Sequence, residues 1–267
     1  MDHSKQNFVD AHCHLASPKL AEQREAALIR ARNQGIRHFL QAGVEPKDWQ
    51  LQLDLMKKEA GILPCFGLHP YWVSENTEST CDQAMDLLAK QLGQAVALGE
   101  TGLDFRSQFD ADARDRQMQY FEEQVQLAQM ANKALVIHVV RAHPEAQKVF
   151  SIKGVPPAGF LVHSFHSTRK VAQAYLDMGA YFSIGPSLLD SRSRILREAI
   201  DIIPMSRIVI ESDSPDQAPA HWPYPLNEPS VIVPIAQVIG TIKDLNFTEV
   251  LDKARQNLEN LLKIKLG

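Results

Sequence analysis

Six residues of this chain have side chains suited to holding metal ions: His12, His14, Glu100, His138, His163 and Asp213. Neutral imidazole is a frequent metal ligand, and a carboxylate can place one oxygen on each of two cations. His12 and His14 stand at i and i+2 in Asp10-Ala-His-Cys-His14, so in an extended strand both face the same side and can chelate one ion. His138 ends Leu135-Val-Ile-His138 and His163 ends Phe160-Leu-Val-His163, each interrupting an apolar run at a matching place. Glu100 sits in Val96-Ala-Leu-Gly-Glu-Thr-Gly-Leu-Asp104, and Asp213 closes Arg207-Ile-Val-Ile-Glu-Ser-Asp213.

Each of these has an ordinary structural use. A histidine on an apolar face is more often a satisfied core residue, Glu100 could form an ion pair, and Asp213 before Ser214-Pro215 could cap a helix. The joint placement points elsewhere, because five separate apolar runs each contribute such a residue near their C-terminal end. Two sets result, His12 and His14 with Asp213, and His138 and His163 with Glu100. The chemistry they offer is hydrolysis by a metal-activated water, with Asp213 as ligand and general base and Glu100 between the ions.

The elements that must position them alternate eight times between short β-rich runs and helical patterns. The strands are expected at 8–15, 36–43, 62–69, 95–104, 134–140, 159–165, 180–185 and 207–213. Apolar residues recur at three and four over 19–33, 112–132 and 168–178, and Gly35, Gly61 and Gly179 fall where helices should stop. The eightfold count and the lack of a Gly-x-Gly-x-x-Gly motif after the first strand favour an α/β fold of the (β/α)8 TIM-barrel type over an open doubly wound sheet. Such barrels build their sites at the C-terminal ends of the strands. A Pro-rich segment, 215–229, is expected to cross the mouth before additional C-terminal helices at 230–243 and 248–263. The whole of 1–267 reads as a single domain, close to the ~250 residues typical of one barrel.

Composition narrows the partners. A net charge of −4 gives no long-range field to gather nucleic acid, so any polyanion contact must be local. Three cysteines without a Cys-x-x-Cys pair argue for free thiols in a reducing compartment. Residues 1–7 show no apolar leader and no window resembles a membrane span, which points to a cytoplasmic protein without a membrane partner.

Seven motifs in order give a resemblance along essentially the whole length. They are Asp10-Ala-His-Cys-His14, Gly67-Leu-His-Pro70, Gly99-Glu-Thr-Gly-Leu-Asp104, His138, His163-Ser-Phe165, Glu211-Ser-Asp-Ser-Pro215 and Asn227-Glu-Pro229. In these the sequence resembles the TatD family of metal-dependent hydrolases, within the amidohydrolase-like barrels. The resemblance implies that His12, His14 and Asp213 hold one divalent metal ion, His138 and His163 the other, with Glu100 bridging. It also implies a phosphodiester-cleaving, deoxyribonuclease-type activity for some members. The chain departs from the family pattern at His163-Ser-Phe-His-Ser-Thr168, where a glycine is usual, at Asn257-Leu258 in place of Asn-Thr, and at His138-Val-Val-Arg141, where His-x-Arg is usual.

The function expected is therefore hydrolysis of a phosphoric ester at a two-metal site, the ions being Zn, Mn, Mg, Fe or Ni. DNA, single-stranded or short, or a small phosphoester is the expected substrate. His69, Arg106 and Arg141 lie near strand ends and could bind non-scissile phosphate, and Tyr71, Trp72, Trp222 and Tyr224 in the mouth loops could stack bases. Amide, ester or lactone hydrolysis is the alternative, since the same chemistry attacks a carbonyl.

Overall fold

Strands and helices alternate along the chain as the periodicity requires. The computed structural model describes residues 6–267; the expectation about the leader falls largely on 1–5, outside the described residues. The strands are β1 (Phe8–Cys13), β2 (Ile36–Gln41), β3 (Ile62–Leu63), β4 (Cys65–Phe66), β5 (Ala97–Asp104), β6 (Ala134–Val140), β7 (Phe160–Val162), β8 (Tyr181–Ile184) and β9 (Ile208–Ile210). The helices are α1 (Arg24–Asn33), α2 (Pro46–Lys58), α3 (Pro70–Glu75), α4 (Glu78–Gln91), α5 (Ala111–Ala131), α6 (His143–Lys153), α7 (Arg169–Asp177), α8 (Arg194–Ile202), α9 (Ile232–Lys243) and α10 (Phe247–Leu262).

All strand pairs are parallel, in two ladders ordered β1-β2-β3 and β4-β5-β6-β7-β8-β9. The single strand expected at 62–69 is two dipeptide strands, because Pro64 has no N–H to give the ladder between them. Its carbonyl still accepts from Val96 N at 2.8 Å, so β3 and β4 together fill one of eight barrel positions. The seam between β9 and β1 is joined above the strands, where Asp213 N donates to His12 O at 3.0 Å and His14 N to Ser214 O at 2.7 Å. The Asp10 carboxylate fastens the same seam by accepting from Ser212 N at 2.9 Å and from the Ser212 hydroxyl. The fold is a (β/α)8 barrel of the TIM type with an extra C-terminal helix.

Inside the barrel, Val9, Ala11, Leu40, Val136, Leu161 and Val209 form one buried apolar cluster. Leu258, Leu261 and Leu262 of α10 join it, while Asn257 Nδ2 donates to Met205 O and Ile208 O at the start of β9. The extra helix thus plugs the N-terminal end. A larger cluster fills the layer between strands and outer helices, with Trp49, Phe39, Phe160 and Phe182 fully buried. Gly35, Gly61 and Gly179 have positive φ where helices stop, as the sequence suggests. Among the described residues no helix is long and apolar enough to cross a membrane.

Candidate metal centre

At the opposite end of the barrel the inward face changes from aliphatic to ligand-bearing, and two irregularities make the change. Asp10 pairs with Phe39 but Cys13 with Gln41, so β1 carries one residue more than β2 across that interval. Such a bulge shifts the alternation by one. Below it Val9 and Ala11 face inward; above it His12 and His14 do. In β5, Leu98 pairs with Leu135 but Thr101 with Ile137, and the extra residue turns Glu100 into the barrel. The Gly99–Glu100 peptide is cis. Gly102, at φ 138°, lies so close to β6 that a side chain there would collide with the His138 carbonyl. His138 and His163 keep the plain alternation, in phase with Val136 and Leu161.

Glu100 is the centre of the resulting cluster. Its Oε1 lies 2.8 Å from His138 Nδ1, 3.1 Å from His163 Nε2 and 3.2 Å from His69 Nε2. Its Oε2 faces the other way, 3.4 Å from His12 Nε2 and 3.9 Å from His14 Nε2. Asp213, held in the left-handed region at φ 53°, completes the second group with Oδ1 3.6 Å from His12 Nε2 and 3.3 Å from His14 Nε2. Ligand atoms of His12, His163 and Asp213, and likewise of His12, His14 and Glu100, all lie within 4.8 Å of one another.

Two further carboxylates stand behind the histidines. Asp104 Oδ2 is 3.2 Å from His138 Nε2, and Glu211 Oε1 is 3.4 Å from His163 Nδ1 while accepting from Ser164 N at 2.7 Å. Both are fully buried. A carboxylate behind a ligating histidine fixes the ring and raises its basicity. Neither residue has an assigned role in the sequence motifs; the spacing of Asp104 four residues after Glu100 and of Glu211 two before Asp213 is the signal that places them on the same faces. Gln217, also unassigned from sequence, donates its amide to Asp213 Oδ2 and to Ser164 Oγ at 3.0 Å.

The charges are set by this company. Burial alone would raise the Glu100 carboxyl, but the surrounding imidazoles outweigh it and hold it well below the usual range. Asp213 is likewise driven down to about 2, its burial overcome by His14, His163 and His12. Burial pushes His138 and His163 down, yet the carboxylates around each leave both raised. His69 is different: burial dominates and it falls to about 4. Its Nδ1 accepts from Tyr71 N at the start of α3, so the neutral ring carries its proton on Nε2, aimed at Glu100. That tautomer donates a hydrogen bond and has no lone pair for a metal.

Metal fits this donor set. Both ring nitrogens of His12 are buried without a hydrogen-bond partner among the described residues. Buried polar atoms are seldom left so unless something else satisfies them. For His12 Nε2, the space between the Glu100 and Asp213 oxygens is where a cation would meet it.

A family model described as TatD related DNase matches residues 9–263. The chain belongs to the TatD family of metal-dependent hydrolases. It is 26% identical over 255 residues to the Bacillus subtilis metal-dependent hydrolase YabD, covering 96% of this chain and 98% of that one. It is 27% identical over 259 residues to the human deoxyribonuclease TATDN3, covering 94% and 92% of the two chains. The crystal structure of the TatD homologue YjjV from Escherichia coli superposes with a TM-score of 0.87 at 23% identity, over 97% of this chain and 98% of that one.

In this TatD-family chain all six residues singled out as ligands converge. Five of them, His14, Glu100, His138, His163 and Asp213, line a cavity of about 700 Å³ at the barrel mouth together with Lys19, His69, Tyr71, Arg106 and Gln217, while His12 lies buried beneath it. Arg106 is held by Asp104 through paired contacts of 3.0 and 2.7 Å and lies 5.1 Å from the Tyr71 ring centroid. Arg141 is exposed at φ 54° and does not line the cavity. Tyr224 lies beneath the Arg30 guanidinium at 4.1 Å, which in turn grips Glu228, so it anchors the loop. Trp72 packs against the core outside this cavity, and Trp222 fixes its ring by donating Nε1 to Leu226 O at 3.1 Å. Lys19, a polar wall unassigned from sequence, pairs with Asp216 at 3.1 Å.

Proposed function

We propose that this TatD-family hydrolase cleaves phosphodiesters, of DNA or of a small phosphoric ester, with two divalent metal ions. The observation that carries this is the division of Glu100: Oε1 faces one group of imidazoles and Oε2 another, the arrangement a carboxylate shared by two cations requires. His12, His14 and Asp213 would hold one ion and His138 and His163 the other. When bound, these ions supply positive charge to the scissile phosphoryl group and lower the pKa of the attacking water.

The chain's own groups do the rest. Asp213, whose carboxyl the neighbouring imidazoles hold in its ionised form, accepts the proton of the attacking water at Oδ1 or Oδ2. Gln217 holds that carboxylate from the side away from His14. Arg106 presents its guanidinium to the non-scissile oxygens, with Tyr71 and Asp104 keeping the arginine in place, while His69 gives its Nε2–H to Glu100 and borders the same space. The deoxyribonuclease name of the human relative agrees with this substrate class. The mouth offers few unpaired cations, so a short or single-stranded substrate suits it better than a long duplex.

The reading is tested with protein stripped by chelator and reloaded with Mg²⁺, Mn²⁺ or Zn²⁺. Bis-p-nitrophenyl phosphate, a fluorescent oligonucleotide and a panel of esters, amides and lactones are then compared. Metal-restored cleavage of the phosphodiesters is expected. Turnover of carboxylic esters, amides or lactones with the phosphodiesters untouched would overturn it in favour of carbonyl hydrolysis.

A further inference from the structure

A second cavity of about 730 Å³ adjoins the metal centre, and no step above uses it. It lies between the segment after β8, residues 185–193, and the segment after β9, residues 217–222, on the same C-terminal face of the barrel. Its apolar walls are Pro186, Leu189, Ala218, Pro219, Trp222 and Pro234. Polar groups lie at its edge, among them Ser191, His221 and the Arg192 guanidinium tied to Asp190 at 2.8 Å. Gln217 lines both cavities, and its amide is the one bonded to Asp213. Gln217 is therefore a wall common to a group bound at the metals and a group bound here.

We infer that this second cavity is a subsite for the aromatic base of a nucleotide whose phosphate sits at the metal centre. The inference rests on the phosphoester reading above and names the part of the substrate that reading leaves open. Three features favour a base. The indole of Trp222 is immobilised by its bond to Leu226 O and by packing on the core, so it offers a preformed flat surface with little ordering cost. Prolines and small apolar side chains beside it form walls that suit a planar ring. The polar rim can meet the donors and acceptors at a base edge. Specificity on this side would then come from shape and stacking, which tolerates several bases.

The test measures binding as well as turnover. Affinities of deoxyadenosine 5′-monophosphate and of deoxyribose 5-phosphate, which lacks the base, are measured calorimetrically on the Mn²⁺-loaded protein. The base should tighten binding by roughly tenfold. Ala218→Trp, which fills the cavity without touching a metal ligand, should reduce that ratio to one and leave deoxyribose 5-phosphate affinity unchanged. Trp222→Leu should lower the ratio and Trp222→Phe retain it, which separates loss of stacking from loss of folding. A ratio of one in the unsubstituted protein, or a ratio that Ala218→Trp leaves intact, overturns the subsite. Phosphodiester hydrolysis with a ratio of one removes the subsite alone. A tenfold ratio that Ala218→Trp abolishes, without any phosphodiester hydrolysis, upholds the subsite and removes the proposed reaction.

Discussion

The two ends of the barrel are built from the same eight strand positions and bury opposite chemistry. At the N-terminal end Leu258, Leu261 and Leu262 of α10 close on Val9, Leu40 and Val209, and that apolar cluster holds the end shut. At the C-terminal end five histidines surround one glutamate, and both ring nitrogens of the buried His12 have no hydrogen-bond partner among the described residues. An end selected for stability alone would not keep such atoms unsatisfied. Substitutions at the two ends should therefore separate turnover from stability.

The largest separation is expected from Asp213→Asn. It keeps the shape of the side chain and removes the proton acceptor, so kcat should fall by roughly 10²–10⁴ at saturating metal, with the melting temperature little changed. Steady-state rates beside elemental analysis check this. Turnover near the unsubstituted value with full metal content would mean that another group takes the proton. The converse comes from Leu261→Ala in the floor. Removing this buried side chain should cost about 2–5 kcal/mol in urea unfolding and leave kcat/KM of the folded protein intact. A parallel loss of activity would join the two ends and break the contrast.

The sequence was most legible where alternation is undisturbed. His138 and His163 could be placed by counting from Val136 and Leu161, and the eight βα units by their period. It was least legible where backbone departs from ideal geometry. Reading His12 and His14 as a same-face pair is right, yet continuing the alternation from Val9 and Ala11 would put them outside; the bulge that corrects the phase has no simple letter code. The same holds for Glu100 beside Gly99. Pro64, by contrast, was a visible reason to divide the third strand. Arg141 shows the limit of proximity in sequence, because one left-handed residue past β6 directs it away from the cavity that Arg106 reaches.

The carboxylates behind the ligands allow a finer division within the mouth itself. Glu211→Gln and Asp104→Asn leave every proposed ligand in place but weaken the hold on the His163 and His138 rings. Each should lower metal affinity by about 10–100-fold, read by competition with a chromophoric chelator, and excess metal should restore much of the turnover. An unchanged affinity in both would show that the rings are oriented by packing alone. Because Asp104 also binds Arg106, its variant should raise KM as well, whereas Glu211→Gln should not.

The smallest effect concerns a histidine at the same mouth that the metal centre does not use. His143, at the start of α6, has the Tyr175 hydroxyl 3.3 Å from Nδ1, and burial lowers its pKa to about 4. Its neighbours in the cluster show what carboxylates change: His14, His138 and His163 are buried too, and are raised. The folded pKa of His143 lies below the unfolded value near 6.5, so the unfolded chain binds the extra proton between these limits. Its stabilising contribution is complete above about pH 6.5 and is lost progressively as pH falls toward 4. Since part of the ring reaches solvent, metal-free protein should lose only about 1–2 kcal/mol more than His143→Gln between pH 7 and 5. Urea titrations of the two proteins across that range check the difference. Equal slopes would mean that His143 takes its proton without unfolding, and that burial at the rim of this mouth is weaker than burial at its centre.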